Sequence, residues 1–232
     1  MERRIRKHRR PGLLHPCVVA RLLDYLPFAA AAFAVPQFLP QIDKLRRTAD
    51  PTGVSWPWAA LTSVNNAAWL TYFTLAHYWT ALVPSISATT LAGALATMLT
   101  ARVGVRPRSA LVVGCWAVLL GAALALGGRA GLGTLLTGAF ILQVTPSIWT
   151  AYRTRRPTGI SRGTWLLILG ELSCWLAFGF HQSDPRLIAL GCSGIAAALL
   201  MLGRIESAGR RVRAAPSGAG RVASGARGHR AA

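Results

Sequence analysis

Negative charge is what this chain has least of. Its 232 residues include 7 acidic side chains against 26 basic ones, and charged residues of both signs make up only 14%. A water-soluble domain usually carries about 25%. Lysine is nearly missing, with only Lys7 and Lys44. A seven-helix retinal protein needs a lysine in its last helix to form the Schiff base, so that class is excluded. The 4 cysteines, Cys17, Cys115, Cys174 and Cys192, stand in apolar segments without CxxC or Cys/His metal spacing. They are expected to be small, buried apolar residues, and no metal is expected. There is no HExxH, GxSxG, phosphate-binding loop or carboxylate pair, so neither an enzyme nor a cofactor is expected.

What the chain has is apolar length. Hydrophobic residues make up 53% and the mean hydropathy is +0.40. Several stretches reach about 18–20 residues, the length a helix needs to cross a bilayer. The net charge of +19 would suit nucleic acid if the basic residues formed a face. They fall instead in the first ten residues, in short loops and in the tail after Arg204, as in membrane proteins. The expected partners are the lipid bilayer and a small-molecule solute, not nucleic acid; a homo-oligomer is allowed.

The chain also repeats itself. Pro40, Pro51-Thr52-Gly53, Ser55 and Trp69 recur as Pro146, Pro157-Thr158-Gly159, Ser161 and Trp175, each pair 106 positions apart without a gap. Gln37 and Gln143 keep the same offset, and Gln41 is matched by Ser147. A repeat of this length marks a duplicated structural unit. In each copy a proline lies inside an apolar helix, a basic turn follows, and a Pro-Thr-Gly turn opens a second helix that carries the tryptophan.

Seven apolar segments are expected, at about 24–45, 56–75, 79–101, 109–127, 131–152, 163–181 and 186–204. The fold class is therefore an all-α integral membrane protein: seven transmembrane helices arranged as two parallel three-helix repeats joined by a linker helix. The units fall at 21–101 and 131–204, with the linker in 102–130, a basic segment at 1–20 and a disordered basic tail at 205–232. The linker is a geometric need, since three crossings leave a unit's ends on opposite faces and a second unit of like orientation needs one more. The first residues resemble a signal peptide, but Arg21 and Asp24 interrupt their apolar run and the repeat needs the segment before Pro40. Start of translation near Val18 or Val19 is a third option. Loops with Lys44, Arg46, Arg47, then Arg102, Arg106, Arg108, then Arg153, Arg155, Arg156 share one face; the other holds Arg129 and Arg186. The positive-inside rule makes the first face cytoplasmic, with the C-terminus inside and the N-terminus outside the cell membrane.

The doubled Pro…Gly-x-Ser…Trp spacing, with Pro40-Gln41 as its diagnostic pair, resembles the PQ-loop superfamily, most closely the SWEET and SemiSWEET sugar transporters. The match covers about 24–101 and 131–204. It implies a transporter with the same 3+1+3 layout. Family members use a third-helix asparagine about sixteen residues beyond the tryptophan to bind sugar; here those places hold Ser85 and Gly191. The lysosomal cystine transporter shares the PQ loop with another substrate.

Pro40 and Pro146 each remove a helical hydrogen bond and are hinge candidates, with Gln41 placed to satisfy a freed carbonyl. Trp69 and Trp175 lie about a dozen residues into their helices, too deep for interfacial anchors. They are expected to face each other as a stacking pocket. Asn65 and Glu171 lie one turn before these tryptophans on the same face. An intramembrane carboxylate is costly and points to function, so Glu171 is a proton-coupling candidate. The alternative for Glu171 is a structural bond to Asn65 or to a backbone carbonyl. Ser85 and Gln143 complete the expected substrate site, and Asn66, Ser63, Thr89 and Ser193 are further polar candidates. Asp184 and His181 are expected to be solvated in a loop. The expected function is alternating-access transport of a small polar solute, sugar-like or amino-acid-like. The alternative is a non-transporting receptor or assembly partner of the same fold.

Overall fold

The computed structural model describes residues 16–48, 55–153 and 161–214. Both Pro-Thr-Gly turns and the tail beyond Ala214 lie outside these residues. Helices make up almost all of what is described: α1 (Pro16–Asp24), α2 (Leu26–Thr48), α3 (Trp56–Leu75), a 3-10 turn (Trp79–Ala81), α4 (Leu82–Val103), α5 (Pro107–Arg153), α6 (Arg162–His181) and α7 (Pro185–Ala214). Five stretches are long and apolar enough to cross a membrane: Ala20–Leu39, Trp79–Val103, Pro107–Thr145, Arg162–His181 and Pro185–Ser207. α3 is 20 residues long, as is α6. It carries Asn65, Asn66 and three tryptophans, however, and is not one of the five. Large apolar side chains cover the outside of the bundle, with Leu126, Leu142 and Val118 91%, 75% and 73% exposed. Such a surface belongs in hydrocarbon, where helices can satisfy their own backbone groups. This is a multi-pass membrane protein.

The expected segments 109–127 and 131–152 join in one element, α5, which doubles back at Gly128. There φ is 57° and ψ −151°, a region open to glycine and strained for other residues. The two limbs lie so close that a Cβ on Gly131 would meet the Ala123 carbonyl oxygen at 2.6 Å. Helices also begin and end differently from expectation. α1 starts at Pro16, within the segment set aside as an N-terminal extension. α7 runs to Ala214, past the predicted end at 204, because Ala, Arg and Glu sustain a helix without an apolar face. Cys115 and Cys192 are exposed on the outside of the bundle rather than buried, as suits an apolar residue in contact with lipid.

Cross-helix contacts sort the helix termini into two ends. At one, Trp56 Nε1 donates to Thr100 Oγ1 at 2.8 Å, Arg204 Nε donates to the Ala151 carbonyl at 3.0 Å, and Arg162 lies 3.6 Å from Glu206. At the other, His181 meets Asp24 at 2.8 Å, and Arg186 Nε donates to the Ala130 carbonyl at 3.2 Å. These are called the Ser161 end and the Asp184 end below.

Backbone geometry recurs at the spacing of the sequence repeat. α3 ends with Tyr78 N–H bonded to Phe73 O (3.0 Å) and His77 N–H to Thr74 O (3.1 Å); α6 ends with Asp184 N–H on Gly179 O (2.9 Å) and Ser183 N–H on Phe180 O (3.2 Å). Both are Schellman terminations, with His77 (φ 60°) and Ser183 (φ 52°) in the left-handed position where glycine is usual. At the opposite ends Ser55 and Ser161 hold matching extended caps, with ψ 124° and 120°. Helix packing follows the same correspondence: α3 on α4 as α6 on α7, α2 on α4 as α5 on α7, and across the molecule α2 on α6 as α3 on α5. The main core, built on Tyr72, Phe73, Trp175, Phe178 and Leu187, fills the Asp184 end. A smaller core of Leu45, Ala59, Leu95 and Leu99 ties α2, α3 and α4.

Candidate functional site

Six helices surround a cavity of about 490 Å³. Each contributes by its place in the packing: Gln37 from α2, Asn65 from α3, Ser85 from α4, Gln143 from α5, Glu171 from α6 and Leu190 from α7. Trp69, Trp175, Asn65, Glu171, Ser85 and Gln143, the six residues expected to form a site, all line this space, as does Asn66. Ser63, Thr89 and Ser193 are not among the described lining residues. Ser63 donates to the Thr89 carbonyl at 3.1 Å and Ser193 to the Leu190 carbonyl at 3.0 Å, both ordinary helix packing. Pro40 and Gln41 lie on α2 and Pro146 on α5, in helical backbone; their side chains are outside the described residues.

The cavity has a closed end and an open one. Toward the Ser161 end it reaches Trp58 and Thr164, both exposed. Toward the Asp184 end it stops at Phe73 and Trp175. Behind them Tyr72 is fully buried, and Phe178 and Asp184 are 1% and 4% exposed.

Trp69 and Trp175 do not face each other across open space. Phe73 stands between them, 5.5 Å from Trp69 at 22° and 5.2 Å from Trp175 at 7°, so the three rings form one stack. Phe73 lies one turn beyond Trp69 on the same face, a signal present in the sequence. Its counterpart 106 positions on is Gly179, so only the first unit supplies a ring there.

Asn65 and Glu171 do not bond to each other. Gln37 Nε2 donates to Glu171 Oε2 at 2.9 Å and to the Phe33 carbonyl at 3.2 Å. Trp116 Nε1, on the first limb of α5, donates to Asn65 Oδ1 at 2.6 Å. The fold-back at Gly128 brings that limb against α3, which the repeat pattern alone does not predict. Among the described lining residues Glu171 is the only charged one, and none is Lys, Arg or His.

Asp184 is buried, not solvated. Its Oδ2 accepts from the hydroxyls of Tyr72 and Tyr78, the latter at 3.3 Å. Its Oδ1 accepts from the Arg186 backbone N–H at 3.0 Å. Asp184 thus caps α7, with Pro185 at the first helical position; Asp-Pro is a helix-start signal. The Arg129 guanidinium lies 5.9 Å from the Tyr72 ring centre. Burial first, then the Asp184 carboxylate, raise the Tyr78 phenol above its ordinary pKa, with Arg129 opposing; the phenol therefore keeps its proton and donates. His181 is also drawn in: its Nε2 meets Asp24 Oδ1 at 2.8 Å, and Gln182 donates to the same oxygen at 3.2 Å.

No protein-family model matches the chain, and no curated protein matches it.

Proposed function

We propose that the chain is a seven-span transporter of the PQ-loop kind, moving a small polar solute, sugar-like or amino-acid-like, by alternating access. Its two parallel three-helix repeats would share the cavity, with the N-terminus outside and the C-terminus in the cytoplasm. One observation carries this reading: equivalent residues of the two repeats (Gln37 and Gln143, Asn65 and Glu171, Trp69 and Trp175) line a single space. A duplicated unit that places matched side chains around one cavity suits a carrier whose halves rock against each other. The cavity is closed at the Asp184 end, so the solute enters from the Ser161 end in this state. Opening the other end requires parting Phe73 from Trp175 and breaking the Tyr72–Asp184 bond. Pro40 and Pro146 lie on the helices that would flex, and Glu171 is placed to carry a proton with the solute.

A non-transporting protein of the same fold is favoured by one feature. At Gly191 a Cβ would meet Leu176 Cα at 2.7 Å, so this position cannot carry the sugar-binding asparagine of the resembling family. Uptake of labelled sugars and amino acids into proteoliposomes, with and without a pH gradient, decides between the two. Flux of any of these solutes above that of protein-free vesicles supports the carrier; absence of flux for all of them supports the second reading.

A further inference from the structure

The chemistry of the lining names a narrower ligand class than a polar solute. This step rests on the cavity being the transport site proposed above. We infer that the cavity selects a small organic cation, an amine or quaternary ammonium carried on a flat or methyl-rich body.

Charge is the first reason. Among the described lining residues Glu171 is the only one with a charge, and there is no Lys, Arg or His. Its hydrogen-bond donors are neutral, the amide of Gln37 at 2.9 Å and the side chain of Trp175. A half-buried carboxylate with only neutral partners is costly, and a cation beside it relieves that cost. Anionic solutes meet the opposite field and are excluded.

The rings are the second reason. Trp69, Phe73 and Trp175 present a continuous aromatic stack to the same cavity as the carboxylate. Trp175 lies one helical turn from Glu171, on the same face. Aromatic faces attract ammonium groups, indole most strongly, and the attraction grows as water is excluded. The carboxylate and the two indoles, each with one face against Phe73, therefore border the same space.

The amides are the third. A neutral sugar needs many free hydrogen-bonding groups, but Asn65 Oδ1 is taken by Trp116 and the Gln37 N–H group by Glu171 and Phe33. Asn66 Nδ2 is likewise turned to the Thr62 carbonyl at 2.9 Å; Thr62, Ser85, Gln143 and Thr164 complete the polar side chains of the described lining, around one carboxylate. The space of about 490 Å³ is within the usual range for small-molecule pockets, roughly 300–1,000 Å³.

The test is equilibrium dialysis of the purified full-length chain with two pairs of probes of matched shape. Choline is set against its uncharged carbon isostere 3,3-dimethyl-1-butanol, and tryptamine against indole-3-ethanol. The expected result is binding of each cation about tenfold tighter or more than its isostere. Glu171→Gln, which keeps an acceptor for Gln37, should remove that preference while leaving isostere binding in place. Equal binding of cation and isostere by the unmodified chain overturns the inference, with or without a folded variant, as does a preference that survives in Glu171→Gln. Flux in proteoliposomes separates this from the transport reading. Cation binding without flux keeps the ligand class and removes the carrier, whereas glucose flux equal to choline flux keeps the carrier and overturns the ligand class.

Discussion

Three side-chain bonds join the elements that the proposed transport cycle would move, and each has its own consequence. Gln37 and Glu171 link α2 to α6 inside the cavity. Glu171→Gln keeps the bond by offering a carbonyl, so the variant should fold and insert as before. Its flux, measured across a pH series in proteoliposomes, should lose pH dependence; flux that still varies with pH as in the unmodified chain removes the proton role. Trp116 and Asn65 link the first limb of α5 to α3. Trp116→Phe keeps the ring and removes the donor. It should lower stability by about 1 kcal/mol, the usual net value of a hydrogen bond, in thermal unfolding of the detergent-solubilised protein. Tyr72→Phe removes one of the two phenols that donate to Asp184. Stripping a donor from a buried carboxylate costs on the order of 1–3 kcal/mol, here taken from the closed end alone. The same thermal measurement should show it, with the 106-spaced helix ends otherwise intact.

At the level of the helices, the fold-back in α5 depends on one backbone angle. Gly128 adopts φ 57° with ψ −151°, and a side chain there is strained by on the order of 1–3 kcal/mol. Gly128→Ala should destabilise by that amount, whereas Gly127→Ala, at an exposed glycine with nothing within 4 Å of its added Cβ, should not. Equal loss in both variants would show that the reversal does not depend on this angle. Much of the helical plan was legible because apolar length and the repeated Pro, Ser and Trp positions report directly on crossings and helix starts. What escaped was local chemistry that apolar length does not encode. The Schellman ends at His77 and Ser183 lack the glycine that announces them. The burial of Asp184 was announced by Asp184-Pro185, a capping pair, and missed because a charged residue between apolar segments suggests a loop. The six site residues were legible as repeat partners, yet the wedge of Phe73 between the indoles depends on a difference between the units, Phe73 against Gly179, which a search for likeness passes over. The bonds of Asn65 and Glu171 depend on which helices pack across the molecule, and the sequence carries no direct mark of that.

For the molecule as a whole, the proposal is two like units rocking around a cavity that is sealed in this state at the Asp184 end. The proposed orientation follows from the basic loops under the positive-inside rule, so a reporter fused to the C-terminus should be cytoplasmic. The most direct measurement of the central claim is cysteine accessibility in sealed vesicles. Cys17, Cys115, Cys174 and Cys192 are replaced by serine, and Ser85→Cys, at a cavity-lining position that is 3% exposed, gives a single reporter. A membrane-impermeant maleimide is then added to one face or the other. Alternating access predicts labelling from both faces, with Tyr72→Phe increasing it from the Asp184 side. Labelling from the Ser161 side alone, unchanged by Tyr72→Phe, would contradict it.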